Sequence, residues 1–271
     1  MTTSFVHIDW QGRAVRIEHQ RLNAHLGDAP LLVFLHEGLG SVAMWHTRDG
    51  FWPEQVCQAT GRAGVVFSRR GYGQSEDMAD VRGANALTPD YMHHEAWHVL
   101  PELLAALHIQ APVLLGHSDG GTIALLHAAR HALSACIVMA PHVMVEDISV
   151  AAIGQAREAY LEGKLRERLY KFHSDVDCAF WQWNDVWLSD DFRSFDIRPL
   201  IHNIKSPLMA IQGLEDPYGT MVQIDEIAAQ AKQTQLVKLQ NCGHSPHKDQ
   251  PEQVLQALKY FSNSLGKIHR H

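Results

Sequence analysis

The chain has 271 residues, 46% of them hydrophobic, enough to bury a sizeable core in one large α/β domain or two small ones. Its 23 basic and 30 acidic residues give a formal charge of −7, which argues against a phosphate-binding surface and so against nucleic acid as a partner. No apolar run approaches the roughly 18 residues of a membrane span, and the opening MTTSFVHIDWQGRAVRIEHQ lacks the basic start and apolar core of an export signal, so a cytoplasmic protein is expected.

In chain order, FVHIDW (5–10) and AVRIEHQ (14–20) alternate around QGR and predict a β-hairpin. The pattern then changes. LLVFLH (31–36), GVVFS (64–68), PVLLGH (112–117), ACIVMA (135–140) and PLMAIQ (207–212) are near-continuous apolar runs, as expected of strands buried on both faces of a parallel sheet. TPDYMHHEAWHVLPELLAALHI predicts a helix with Thr88 as N-cap and Pro89 at its first position, kinked or split by Pro101. GTIALLHAARH and the closing PEQVLQALKYFSNSL also read as helices. Strands alternating with helices predict a doubly wound α/β sheet. Residues 142–204 break the alternation with helix-like AAIGQAREAYLEGKLRERLYKFH and tryptophan-rich CAFWQWNDVWLSDDF. So long an insertion predicts a helical cap over a core built from 1–141 and 205–271. Four cysteines, Cys57, Cys136, Cys178 and Cys242, show no CxxC spacing, and reduced thiols are expected.

GHSDGG sits between an apolar strand and a small-residue helix, with glycines two positions either side of Ser118. A serine displayed on a sharp strand-to-helix turn needs that spacing, because larger neighbours collide with the strand and helix. The turn also aims the helix N-terminus at any oxyanion formed there. A bare glycine turn with an unreactive serine is the alternative, and partners decide between the two. The hydroxyl needs a base, and an acid to orient it, in the order Ser, Asp/Glu, His. Asp216 in IQGLEDPYGT and His244 in QNCGHSPH each lie just past a strand, where open α/β sheets gather their sites.

The HxGxG segment (His36 to Gly40), RRGYGQS (69–75), GxSxG, the GxxD loop and the GH loop together resemble the α/β-hydrolases, specifically the capped esterase-like branch, over nearly the whole chain. The resemblance implies an α/β-hydrolase fold with Ser118 as nucleophile, His244 as base and then acid, and Asp216 as the group holding the imidazole. Glu215 and Asp147 are the alternative acids. His247, three residues beyond His244, is expected to support the site from behind or to lie at the surface, and not to be the base. The resemblance further implies oxyanion donors in the amides of Asp119 and Gly38, with Leu39 the alternative to Gly38, since Glu37 stands where the family usually has glycine.

Glu37 and Asp119 put carboxylates where negative charge must develop, so they are expected to point away or to be neutralised. Arg69 or Arg70 is the expected partner of Asp119. HEAWH (94–98) matches a zinc-hydrolase spacing but offers no obvious third ligand, and no metal or dinucleotide cofactor is expected. Trp183 and Trp187 share a helical face and are candidates to line an apolar pocket, while packing of the cap accounts for most of its aromatic residues. The expected substrate is a small or medium hydrophobic ester or thioester. Rival expectations are a carbon–carbon bond hydrolase acting on a diketone-type substrate and a non-catalytic ligand-binding relative. Dehalogenases and epoxide hydrolases of similar fold carry aspartate where Ser118 stands.

Overall fold

The N-terminal alternation pairs as an antiparallel hairpin of β1 (Ser4–Trp10) and β2 (Arg13–Leu22). Its two linking residues, Gln11 (φ 55°) and Gly12 (φ 82°), are both left-handed, as a two-residue turn matched to the twist of the strands requires. The structure is a computed structural model that describes residues 3–26 and 29–268. Residues 1–2, 27–28 and 269–271 of the expected core segments lie outside the described residues.

The apolar runs become β3 (Leu32–Leu35), β4 (Gly64–Phe67), β5 (Val113–His117), β6 (Ala135–Met139) and β7 (Leu208–Gly213), joined at the far edge by β8 (Thr234–Leu239). The sheet order is β1-β2-β4-β3-β5-β6-β7-β8. The β1–β2 and β2–β4 pairs are antiparallel and the rest parallel. The chain steps from β3 to β4 on one side and returns to β5 on the other. That reversal opens a crevice at the carboxyl ends of β3 and β5, where such sheets hold ligands.

Strand residues alternate between two cores because successive side chains face opposite ways. Leu32 and Phe34 pack with Trp52 and Val56 of α1 (Trp52–Thr60) and with Val254, Leu258 and Phe261 of the C-terminal helix. Val33 and Leu35 face the opposite core. There α4 (Asp119–Ala128) is buried at all ten positions. Upstream of it, the polypeptide coils from α2 (Tyr91–His94) through a widened π turn (Glu95–Val99) into α3 (Leu100–Ala106). One expectation is corrected here: the helix starts at Tyr91, with Thr88 and Pro89 in the preceding turn. Ahead of Pro101, which lacks an N–H, the α-helix gives way to the π turn, and α-helical geometry resumes at Leu100.

Between β6 and β7 lie α5 (Asp147–Leu161), α6 (Lys164–Tyr170), α7 (Val176–Trp187) and α8 (Arg198–Ile201). The helix-like stretch 151–173 is broken at Gly163, whose φ of 90° ends one helix and opens the next. The two ends of this excursion are fastened together: Ile197 N donates to Val143 O (2.8 Å), and Met144 and Asp196 form an isolated antiparallel bridge. Its interior is aromatic, with Tyr160 stacked on Phe180. The remaining helices are α9 (Val222–Gln230), α10 (Pro246–Asp249) and the amphipathic α11 (Pro251–Ile268). Among the described residues, no helix is long and apolar enough to cross a membrane.

A Cβ on Gly120 would overlap the carbonyl of Leu35, whereas one on Gly154, inside α5, meets nothing within 4 Å. Gly120→Ala is therefore expected to lower the unfolding free energy by about 2–4 kcal/mol. Gly154→Ala should raise it by about 0.5–1 kcal/mol. Urea titration of both variants checks the pair, and equal stability would contradict the packing described for the β5–α4 turn.

Candidate active site

Ser118, Asp216 and His244 each stand beyond the carboxyl end of a parallel strand. Ser118 follows β5 and is the residue before α4, at φ 54° and ψ −120°. Such a conformation costs a non-glycine residue on the order of 1–3 kcal/mol, and surrounding contacts must hold it. Ser118 N donates to Met139 O (2.9 Å), and its carbonyl receives Thr122 N (3.0 Å). A Cβ on Gly116 would overlap the carbonyl of Gly120, so the glycine spacing seen in the sequence is a steric requirement of this turn.

Ser118 Oγ lies 2.9 Å from His244 Nε2, and His244 Nδ1 lies 2.9 Å from both carboxylate oxygens of Asp216. With Nδ1–H donated to the carboxylate, Nε2 is left to accept the serine proton. Burial works to raise the Asp216 carboxyl, but the His244 hydrogen bond and the amide of Tyr218 hold it below its ordinary value. The alternative acids stand elsewhere. Asp147 is fully exposed and pairs with Arg193, while Glu215 accepts the amides of Asn241 and Cys242 and so shapes the loop that carries His244. His117 adds a second brace, its Nε2 donating to His244 O at 2.7 Å. His247 is not at the surface: it is buried against Trp45, Trp52 and His117.

Asp119 is almost wholly buried. Its Oδ2 accepts Tyr91 OH at 2.5 Å and lies 3.9 Å from Arg69 Nη2. Trp187 Nε1 donates to the same Tyr91 hydroxyl at 3.0 Å. Desolvation pushes the Asp119 carboxyl up, with Arg69 and Tyr91 opposing. The arginine that reaches it is Arg69. Arg70 instead approaches Glu76 and lies over Trp10. Arg69 also donates to the carbonyl of Glu37 (3.2 Å), so one guanidinium ties together the loop after β3 and the turn after β5. Glu37 lines the cavity, and although burial raises its carboxyl, His117, Lys248, His244 and Arg69 bring it below its ordinary value.

The cavity holds about 580 Å³, and its wall includes Ser118, His244, Gly38, Asp119, Trp183 and Trp187. Leu39 lines it as well, its carbonyl accepting His173 Nε2. Both tryptophans are buried, and Trp183 lies close against Gly38. Three contributors escaped the sequence reading. Tyr91, the link between Asp119 and Trp187, belongs to no motif. The Tyr218 ring lies 4.6 Å from the His244 ring, tilted to it by 42°. His142 lines the wall just past the end of β6, a strand-end position that could have pointed to it. In HEAWH the His94 and His98 rings are 5.2 Å apart, and Glu95 is raised to about 7 by burial against the pull of Arg69 and Arg70. Among the described residues, no group of three or more His, Cys, Asp or Glu is placed to hold a metal ion.

Burial lowers His117, His127 and His173 to about 4 and His142 to about 3. In the unfolded chain these imidazoles titrate near 6.5. Below pH 6.5 the unfolded state binds more protons, so stability falls with pH until the folded values are reached. Each such histidine contributes a slope of about 1.4 kcal/mol per pH unit. His127→Gln, remote from the cavity, should make the fall between pH 6.5 and 4.5 shallower by about that amount. Denaturant midpoints at three pH values test this, and an unchanged slope would contradict it.

A family model described as the alpha/beta hydrolase family matches residues 32–257. The sn-1-specific diacylglycerol lipase ABHD11 of Danio rerio is 35% identical over 102 residues, 38% of this chain and 28% of that protein. The AB hydrolase superfamily protein YisY of Bacillus subtilis (strain 168) is 21% identical over 224 residues, 72% of this chain and 79% of the relative. The aligned part of this chain thus spans little more than a quarter of the first relative and most of the second. Among solved structures, a carboxylesterase of the thaumarchaeon Nitrososphaera gargenis superposes with a TM-score of 0.73 at 18% identity, covering 96% of this chain and 99% of the other, and shares the fold. With its eight-stranded, mostly parallel sheet and a family match from residue 32 to 257, the chain belongs to the alpha/beta hydrolase family.

Proposed function

We propose that this alpha/beta hydrolase is a serine hydrolase of small or medium hydrophobic carboxylic esters or thioesters, working through an acyl-enzyme on Ser118. The observation that carries the reading is the unbroken hydrogen-bond chain from Ser118 Oγ through His244 to Asp216 at the N-terminus of a buried helix. His244 Nε2 takes the hydroxyl proton as Oγ attacks the carbonyl carbon, while Asp216 steadies the imidazolium. The oxyanion is received by the amides of Asp119 and Gly38, each such donor contributing about 3–4 kcal/mol to the transition state. His244 then protonates the leaving alcohol or thiol. A water, deprotonated in turn by His244, attacks the acyl carbon and releases the acid and Ser118.

Residues 142–204 act as a cap over a core of 1–141 and 205–271, and Trp183 and Trp187 hold the apolar part of the substrate. The four buried free cysteines support a cytoplasmic setting.

Ser118→Ala should lower kcat/KM on nitrophenyl esters by at least about 10⁴-fold with the unfolding midpoint retained. Asp216→Asn should cost about 10³–10⁴-fold. Assay of wild type and variants on esters graded in acyl length, with a vinylogous diketone beside them, tests the reading. Residual Ser118→Ala turnover near wild type, or turnover of the diketone exceeding that of every ester, would overturn it. Exhaustive dialysis against a chelator should leave ester turnover intact. A loss restored by zinc would instead give HEAWH a role.

A further inference from the structure

Beside the proposed triad the cavity wall carries another imidazole, that of His142, whose ring has no hydrogen-bond partner among the described residues. The chain reaches it through Ala140, held left-handed at φ 46°, and Pro141. His142 is 3% exposed. Its backbone is clamped to the helix behind Ser118: its N–H donates to Thr122 Oγ1 (3.0 Å), and its carbonyl accepts the same hydroxyl (2.8 Å). The ring stands edge-on to Trp187 at 5.0 Å between centroids and 5.8 Å from the His244 ring. Among the described residues those backbone bonds are the only ones His142 makes, and its Nδ1 is buried without a partner.

A buried polar group left unsatisfied is costly and calls for a reason, because an apolar side chain of similar size would avoid the cost. The site also favours one protonation state. Burial and the nearby His244 hold His142 far below the ordinary imidazole range, to about 3, so the ring keeps one N–H donor and one lone-pair acceptor. Nδ1 is sealed from the cavity, so the ring nitrogen that can meet a hydroxyl or a carbonyl oxygen there is Nε2, which makes no hydrogen bond to the described residues. Elsewhere the wall carries Leu165, Leu169 and Phe172 together with the cationic Arg168, Lys171 and Lys248, so His142 is a neutral polar group beside His244.

We propose that His142 is a specificity-determining residue that hydrogen-bonds a hydroxyl or oxo group on the carbons next to the scissile carbonyl, making hydroxy- or oxo-substituted esters the substrate class. The proposal rests on the serine-ester reading of the same site. Only hydrogen bonds form and break in this recognition step, and the acyl transfer is unchanged.

The test compares methyl phenylacetate with methyl mandelate, and methyl butanoate with methyl 3-hydroxybutanoate and methyl 3-oxobutanoate, using wild type, His142→Leu and His142→Gln. In wild type at least one oxygenated ester should exceed its parent more than tenfold in kcat/KM, chiefly through KM. The ratio should collapse towards one in His142→Leu and recover in part in His142→Gln, which keeps a donor and an acceptor. Hydrolysis of the parents with no preference for any oxygenated ester overturns the assignment to His142 and leaves the serine mechanism standing. So does a preference that survives unchanged in His142→Leu. If wild type hydrolyses none of these esters and no nitrophenyl ester either, the serine-ester reading fails first. If His142→Leu does not fold, His142→Gln takes its place: a wild-type preference that His142→Gln leaves wholly unchanged overturns the assignment, and a reduced one supports it.

Discussion

The backbone of Ser118, held at φ 54° and ψ −120°, is the constraint around which the crevice is organised. An L-residue adopts this conformation only when its neighbours leave no lower alternative. Here β6 supplies Met139 O to its amide, and α4 supplies Thr122 to its carbonyl. Gly116 and Gly120 remove the side chains that would push strand and helix apart. The consequence is chemical as well as steric. The hydroxyl stands clear of the sheet at the positive end of a buried helix, within 2.9 Å of the His244 imidazole.

That helix begins with a carboxylate, and the surrounding residues are arranged around its charge. Asp119 receives Tyr91 OH and lies near Arg69, and Tyr91 in turn receives the indole N–H of Trp187. A buried charge deprived of its partner costs about 3–5 kcal/mol, so this network constrains every element that feeds it. Arg69 comes from the end of β4, Tyr91 from the start of α2, and Trp187 from the end of α7. The position of α7, which brings Trp183 against Gly38, is thereby coupled to the charge beside Ser118. Glu37 adds a second carboxylate to the cavity lining, held below its ordinary value by the charged groups around it.

Much of this was legible from residue order because the strongest constraints are local. Apolar runs marked the buried strands, the Gln11–Gly12 pair marked the hairpin turn, and glycine spacing marked the strained serine. Strand-end position separated Asp216 from Asp147, which the structure leaves exposed on a helix start. What escaped depends on contacts distant in sequence. Pro101 reads as a break, and the break takes the form of a widened turn upstream, a form with no residue signature of its own. The choice of Arg69 over Arg70 depends on which side of the chain faces the sheet at the end of β4. Tyr91 reaches Asp119 only once α2 is packed on α4, and the burial of His247 depends on Trp45 and Trp52, some 200 residues earlier.

The serine mechanism requires one hydroxyl, and no other, to be activated by the fold. Treating the folded protein with a fluorophosphonate and mapping the adduct by peptide mass spectrometry tests this directly. The expected result is a single adduct on the peptide containing Ser118, absent when the protein is denatured before labelling. An unlabelled Ser118 in folded protein, or equal labelling of protein denatured before the reagent is added, would contradict it.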